Sequence, residues 1–261
     1  MKFLKLFEKF PKFSWKKLSK KKKIALISVF ASLAIIIGAC AVYLGDYYRA
    51  DGDAIDAYLP LLRVETRTTD DGYTAFLAED AIAGVIFYPG GKVEARAYAP
   101  LMAELALRGI TSVLVEMPFN LAILDMNAAD GIRDEFSNIE NWYMAGHSLG
   151  GAMAASYAAG HTDELSGLIL LGAYSTADLS DSSLSVLCLH GSEDMVMNRE
   201  KHDECLDNLP AGYTELEIEG GCHAYFGMYG EQAGDGEPML TEIEQITETA
   251  DHIARFILGG N

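Results

Sequence analysis

The sequence predicts an α/β fold built on one mostly parallel sheet of eight strands, and three observations predict it. Short apolar runs alternate with segments of helical periodicity along residues 84–258. A hairpin signal precedes them, since strand-like segments 64–68 and 73–77 flank the turn residues 70–72. Half of the 261 residues are apolar, enough for one large core in a single domain. We therefore expect antiparallel strands first, and then parallel strands with helices on both faces.

The elements are predicted in the following order. After the hairpin, the six further strands are 84–88, 111–115, 142–145, 167–171, 184–189 and 214–218. The helices between and after them are 93–108, 128–138, 148–160, 198–209 and 240–258. Only about a dozen residues, 172–183, separate two of the later strands, which is too few for a lid domain. An uncovered site, suited to small or exposed substrates, is expected.

The N-terminal segment differs in composition from the rest of the chain. Residues 1–23 carry a net charge of +9, from ten lysines and Glu8, whereas residues 24–261 carry −27. Residues 24–45 contain no charge, and as a helix they span roughly 33 Å, close to the roughly 30 Å of a bilayer core. We predict that residues 24–45 form a transmembrane helix whose partner is the lipid bilayer.

The charge distribution also predicts orientation and excludes one class of partner. The lysines of the basic segment 1–23 keep the N-terminus in the cytoplasm. The juxtamembrane linker and helix, 46–62, and the main domain, 63–261, then lie outside the cytoplasm on the cell membrane. The acidic charge of that domain repels nucleic acid, so no DNA or RNA partner is expected.

Two other interpretations of the apolar segment remain open. Residues 39–41 match a signal-peptidase site, although the apolar run is longer than the usual 7 to 15 residues. Residues 37–40 also look like a bacterial lipoprotein cleavage box, with Cys40 as the lipid-bearing residue. All three interpretations place the rest of the chain on the same side of the membrane.

Four cysteines are too few for a disulfide framework in a domain of this size. Cys188 lies in an apolar strand and is expected to pack as a small hydrophobic residue. A bond between Cys205 and Cys222 is left open.

Residues 146–150, with the sequence GHSLG, lie between a predicted strand and the small-residue run 151–159. Glycines two residues before and two residues after a serine are typical of a nucleophile elbow, a sharp turn from strand to helix. Such a turn needs strained backbone angles and a close approach of helix and strand, which a Cβ atom would prevent. The pattern predicts Ser148 as a nucleophile at the positive end of a helix.

Asp194 and His223 follow later predicted strands, in the order serine, acid, histidine. Because the carboxyl ends of parallel strands lie at one edge of a sheet, we expect these two side chains to join Ser148 in a catalytic triad. Two carboxylates compete with Asp194: the adjacent Glu193 would point the other way, and Asp178 is interpreted as a solvated turn residue.

The remaining five histidines do not meet this order. His147 is expected to pack or to line the pocket. The other four fall on predicted helices or helix ends, or precede the acid, namely His161, His190, His202 and His252.

A developing oxyanion needs two preorganised N–H donors. The N–H of Leu149, directly after the nucleophile at a helix start, is one candidate. The second is the N–H of Gly91, because paired glycines let the backbone approach a ligand closely, with Lys92 as the alternative. Four residues are expected to line the substrate pocket or else to sit at the edge of the core: Met117, Phe119, Tyr225 and Phe226. No zinc spacing or nucleotide-binding glycine motif occurs, so neither metal nor cofactor is expected.

Five segments together resemble a known superfamily. They are FYPGGKVEARAYAPLMAELA (87–106), EMPFNLAILD (116–125), GHSLGGAMAA (146–155), HGSEDMV (190–196) and GGCHAYFGMYGEQAGDG (220–236). With them, residues from about 64 to 258 resemble the α/β-hydrolase superfamily, and within it a group of bacterial membrane-anchored hydrolases distantly related to dienelactone hydrolase. The resemblance implies an α/β-hydrolase fold, the triad Ser148, Asp194 and His223, and no cofactor, and the short segment 172–183 predicts that the fold has no cap domain.

Two positions depart from these relatives. Dienelactone hydrolases use cysteine where this chain has Ser148, so their substrate does not carry over. Cys222 stands where the closer group has asparagine.

The sequence therefore predicts a membrane-anchored serine hydrolase that acts on small carboxylic esters through an acyl-enzyme on Ser148. An amidase or peptidase with the same triad is an alternative, since the leaving group depends on pocket geometry. A binding domain that has lost activity is the other alternative, although every triad member is retained.

Overall fold

The computed structural model describes Trp15 and residues 18–259, and the chain divides into two units, Met1–Asp46 and Tyr47–Asn261. Most of the basic segment 1–23 therefore lies outside the described residues. In the first unit, helix α1 (Lys20–Gly45) has no buried residue, and its most apolar 18 residues have a mean hydropathy of 2.6. By length and composition, this helix can cross a membrane.

The second unit opens with helix α2 (Gly52–Leu62) and the hairpin of strands β1 (Glu65–Thr68) and β2 (Thr74–Leu77). The side chain of Asp51 caps α2 by accepting a hydrogen bond from the Ala54 N–H. The hairpin strands pair antiparallel, as the sequence predicts.

Six further strands complete one eight-stranded sheet. They are β3 (Ala83–Tyr88), β4 (Ile110–Leu114), β5 (Trp142–His147), β6 (Gly167–Leu171), β7 (Ser185–Gly191) and β8 (Thr214–Ile218). Their order across the sheet is β1-β2-β4-β3-β5-β6-β7-β8, and every pair among the last six is parallel. The predicted eight-stranded, mostly parallel sheet is confirmed.

Helices cover both faces of this sheet. Further helices are α3 (Ala99–Leu107), α4 (Leu149–Gly160), α5 (Arg199–Cys205) and α6 (Glu242–Leu258). Alternate side chains of β3 enter two separate cores: Val85 and Phe87 pack with α2, α3 and α6, whereas Ile86 and Tyr88 pack with α4. Burial on both faces explains why the central strands are continuous apolar runs.

The predicted helix 128–138 is wrong. Gly131 has a φ of 80°, which no right-handed helix accommodates, and only a short 3₁₀ turn, Ile132–Glu135, follows it. Two other predicted helices are shorter than expected. The segment 93–108 begins as a 3₁₀ turn before Pro100, which sits in the first turn of α3, and the segment 198–209 leaves the α conformation after Cys205.

Candidate active site

Ser148 lies at the sharp turn between β5 and α4, with φ 51° and ψ −122°. A Cβ on Gly146 would lie 2.6 Å from the carbonyl carbon of Gly150, and one on Gly150 would lie 2.2 Å from the carbonyl oxygen of Pro89. Both glycines are thus required by the close approach of helix and strand, as the sequence predicts. The strained serine stands at the carboxyl end of a central strand.

Asp194 and His223 are hydrogen-bonded at the same edge of the sheet, where they follow β7 and β8. His223 Nδ1 lies 2.8 Å from Asp194 Oδ2, and both side chains are buried. The other carboxylate oxygen of Asp194 accepts from the backbone N–H groups of Val196 and Met197, at 2.9 and 2.8 Å. Burial alone would raise the pKa of Asp194, but the hydrogen bond and charge of His223, with the two N–H donors, outweigh it and lower that pKa. The Asp194 carboxylate is therefore ionised, and its hydrogen bonds hold it in place to accept the Nδ1–H of His223.

Gly172, directly after β6, makes room for this pair. It has a φ of +50°, and a Cβ there would lie 2.9 Å from His223 Nδ1 and 3.1 Å from Asp194 Oδ2. A larger residue would press on the hydrogen bond between the two side chains.

Ser148 and His223 line one cleft of about 340 Å³. Among the described residues no hydrogen bond joins the two side chains, and His223 Nε2 is buried without a partner. One imidazole nitrogen is thus committed to Asp194, while the other is available to a group in the cleft. The cleft is flanked by Leu149, Met153, Ala173, Tyr174, Val196 and Met197.

Two backbone N–H groups lie beside the elbow: that of Leu149, which follows Ser148, and that of Gly91, whose residue packs against the Leu149 side chain. Among the described residues, neither the Gly91 N–H nor the Leu149 N–H has a hydrogen-bond acceptor. The two residues touch, since a Cβ on Gly91 would lie 2.8 Å from Leu149 Cδ2. The N–H of Lys92, the alternative donor, is engaged by the Asn120 carbonyl at 2.7 Å. The N–H groups of Gly91 and Leu149 are therefore two donors of this turn without an acceptor among the described residues.

A buried pair that sequence reasoning missed supports this edge of the site. His147 Nδ1 lies 2.7 Å from the hydroxyl of Tyr98, which also accepts from the Gly90 N–H at 3.1 Å. The rings of His147 and His223 have centroids 4.4 Å apart. Burial, and then the charge of His223, lower the pKa of His147 well below its usual value, so this ring is neutral. No sequence pattern indicated a role for Tyr98, because it occupies an apolar position at the start of a predicted helix.

The four residues expected to line the pocket lie elsewhere. Met117 is buried in the core on the α4 side, and Phe226 is fully buried in the opposite core. Phe119 is 63% exposed, and Tyr225 borders a separate cavity of about 60 Å³. None of the four borders the Ser148 cleft among the described residues. The residues that do include Met153 on α4, Tyr174 in the loop after β6 and Val196 in the loop after β7.

The competing carboxylates have other partners. Asp178 accepts from the N–H and hydroxyl of Ser180 in a local turn, and these two hydrogen bonds lower its pKa. Glu193 accepts from the hydroxyl of Ser192. Among the described residues, His223 is hydrogen-bonded to Asp194 and to neither of these two carboxylates.

The cysteines are not bonded to each other. Cys188, Cys205 and Cys222 are free and buried, so the structure contains no Cys205–Cys222 disulfide. Cys188 packs in the sheet, where burial and then the charge of Glu215 raise its pKa to about 12. That thiol behaves as a small apolar group, as the sequence predicts.

A serine elbow and an acid–histidine pair at the carboxyl edge of such a sheet define a class of hydrolytic enzymes. The chain belongs to the alpha/beta hydrolase family, which its sequence matches over residues 84–247. It is therefore a hydrolase by family. No curated protein matches the sequence.

Solved structures share the fold. Dienelactone hydrolase from Anabaena variabilis is 13% identical, with a TM-score of 0.56 over 76% of this chain and 98% of that chain. Carboxylesterase CesB from Bacillus subtilis is also 13% identical, with a TM-score of 0.56 over 80% and 97% of the two chains. A bacterial membrane phospholipase A is 12% identical, with a TM-score of 0.57 over 91% and 99%. At these identities the likeness concerns the fold alone.

Proposed function

We propose that this chain is a serine hydrolase that cleaves small carboxylic esters through an acyl-enzyme on Ser148. The observation that carries the proposal is the shared cleft of Ser148 and His223, together with the hydrogen bond from His223 to the ionised Asp194. A nucleophile, a base and a group that orients the base are the parts that acyl transfer through serine needs.

The chemistry follows from these positions. His223 Nε2 takes the proton of the Ser148 hydroxyl as the oxygen attacks the ester carbonyl, and Asp194 stabilises the imidazolium that forms. The free N–H groups of Gly91 and Leu149 bind the oxyanion, each contributing about 3 kcal/mol to transition-state stabilisation. His223 then gives the proton to the leaving alcohol, and water hydrolyses the acyl-enzyme by the reverse steps.

The cleft favours a small substrate. Its volume of about 340 Å³ lies near the lower end of ligand pockets, and its flanks are mostly apolar, including Met153 and Val196. The ester class is supported by the names of two structures with the same fold, a carboxylesterase and a phospholipase.

Labelling with a fluorophosphonate tests the nucleophile. We expect the wild type to be labelled and Ser148→Ala not to be. Ser156→Ala is the matched control, because Ser156 also lies on α4 but donates its hydroxyl to the Ala152 carbonyl. Labelling of Ser148→Ala equal to that of the wild type would refute the proposal. The leaving group is tested by comparing kcat/KM for p-nitrophenyl acetate with kcat/KM for p-nitroacetanilide. A higher value for the anilide would show that the chain is an amidase.

We also propose that α1 anchors the chain in the cell membrane, with its N-terminus in the cytoplasm and the second unit outside. The proposal rests on the length, apolar composition and exposure of α1, and on the lysines at its start.

A membrane wash at alkaline pH tests the anchor. Leu33→Arg with Ile36→Arg should move the chain to the soluble fraction, since each arginine costs about 2.5 to 3.5 kcal/mol at a helix centre. The control Leu33→Ile with Ile36→Leu should stay in the membrane. Release of the wild type by the wash, or protection of the second unit from protease added outside intact cells, would contradict the proposal.

A further inference from the structure

Two buried histidines and a glutamate meet where three elements of the second unit come together. His190 lies near the end of β7, His202 on α5 and Glu215 on β8. One ligand atom from each of the three lies within 4.8 Å of the others. The two histidines are only 7% and 3% exposed.

The distances between these atoms suit a shared ion. Glu215 Oε1 lies 3.6 Å from His190 Nδ1 and 3.3 Å from His202 Nε2. Zinc ligands at about 2.0 to 2.1 Å in tetrahedral geometry are about 3.3 Å apart. His190 Nδ1 is also buried without any hydrogen-bond partner among the described residues. A buried nitrogen in that condition costs free energy that a bound ion would remove.

The other nitrogen of each imidazole faces a carboxylate. His190 Nε2 lies 3.4 Å from Glu217 Oε2, and His202 Nδ1 is hydrogen-bonded to Asp203 Oδ1 at 3.4 Å. Metal-bound histidines are oriented in this way, with the second ring N–H donated to a carboxylate. In the tautomers that donate these outer N–H groups, both ring lone pairs face Glu215 Oε1, and a cation between them would bind all three atoms.

We propose that His190, His202 and Glu215 bind one Zn²⁺ ion, with water as the fourth ligand. Two imidazoles and one carboxylate suit a divalent transition metal better than calcium or magnesium. The ion fastens α5 and the edge strand β8 to β7. Because β7 leads to Asp194 and β8 leads to His223, it also steadies the strand ends that carry the acid–histidine pair. No sequence pattern indicates this site, because its ligands lie on three separate elements without a zinc spacing.

Metal titration of the full chain tests the site. The protein is purified in detergent without a histidine tag, stripped with EDTA, dialysed and titrated with ZnCl₂ alone. We expect one zinc per wild-type chain, and loss of that equivalent in His202→Ala and Glu215→Gln. His252→Ala is the matched control, since His252 also contacts a glutamate, Glu248 at 3.6 Å, but on α6. It should keep the full equivalent.

A second variant keeps the test independent of folding. Glu217 lies on the surface with a side chain 51% exposed, so Glu217→Gln should fold normally. We expect its zinc affinity to fall about 10- to 100-fold, the usual effect of removing a carboxylate that orients a ligand. Co²⁺ should give four-coordinate visible bands that the same variants abolish or weaken. Zinc binding absent from the wild type, or unchanged in both Glu215→Gln and Glu217→Gln, would overturn the proposal.

Discussion

His223 and Asp194 form a buried hydrogen bond of 2.8 Å between Nδ1 and Oδ2 at the carboxyl edge of the sheet. The bond fixes which imidazole nitrogen carries the proton, because an ionised carboxylate only accepts. His223 Nε2 therefore presents a lone pair to the cleft, which is the state a general base requires.

Asp194→Asn should lower kcat about 10⁴-fold with little change in KM. An amide in place of the carboxylate favours the wrong tautomer of His223 and does not stabilise the imidazolium. The matched control is Glu193→Gln, which changes the adjacent carboxylate and should keep nearly full activity. Steady-state kinetics with p-nitrophenyl acetate measure both. A larger loss of kcat in Glu193→Gln than in Asp194→Asn would show that Glu193, and not Asp194, is the acid of the triad.

Asp194 should also make the fold sensitive to acid. Its pKa is lowered in the folded state, so the stability it contributes is present above its usual value of 3.8 and is lost as the pH falls below that value, through the folded pKa. Urea unfolding between pH 6 and pH 2, followed by tryptophan fluorescence, should therefore show a smaller acid-induced loss of stability in Asp194→Asn than in the wild type. Equal slopes for the two proteins would contradict the lowered pKa.

Gly91→Ala should reduce kcat about 100-fold while KM changes little. The new Cβ would lie 2.8 Å from Leu149 Cδ2 and 3.1 Å from Leu149 Cβ. Rotation of the leucine relieves the first contact, but the second is next to the backbone and would shift the two N–H groups apart, removing one oxyanion donor worth about 3 kcal/mol. Gly160→Ala is the control, because a Cβ there meets no atom within 4 Å. Full activity in Gly91→Ala would show that this loop does not bind the oxyanion.

Tyr98→Phe should destabilise the fold by about 1 to 3 kcal/mol and lower kcat. The hydroxyl bonds both His147 Nδ1 and the Gly90 N–H, and its removal leaves buried polar groups unpaired beside the Gly91 loop. Urea unfolding and kinetics test the two effects. Tyr157→Phe, which removes another buried tyrosine hydroxyl, one bonded to Asp130 near the end of α4, should keep its kcat. Wild-type stability in Tyr98→Phe would mean that water replaces the lost partner.

Features that depend on neighbouring residues could be predicted from the sequence. The hairpin at 64–77 and the glycines around Ser148 follow from turn chemistry and from a steric rule, and the structure has both. The helix predicted at 128–138 failed because one left-handed glycine, Gly131, overrides the apolar spacing.

Contacts between residues that are far apart along the chain could not be predicted from such patterns. Phe226 was expected at the pocket or at the edge of the core, and it lies in the core; position after a strand could not decide between the two, since it does not reveal which way a loop turns. The contact between Tyr98 and His147 joins residues 49 positions apart, and the His190 cluster joins three elements. The catalytic roles of Ser148 and its partners remain predictions.

A structure of the fluorophosphonate adduct tests the central claim most directly. We expect phosphorus on Ser148 Oγ, the phosphonyl oxygen about 2.7 to 3.1 Å from the N–H groups of Gly91 and Leu149, and His223 Nε2 within about 3.2 Å of the serine oxygen. Phosphorus on another residue, or His223 Nε2 beyond hydrogen-bond reach of the adduct, would contradict the account.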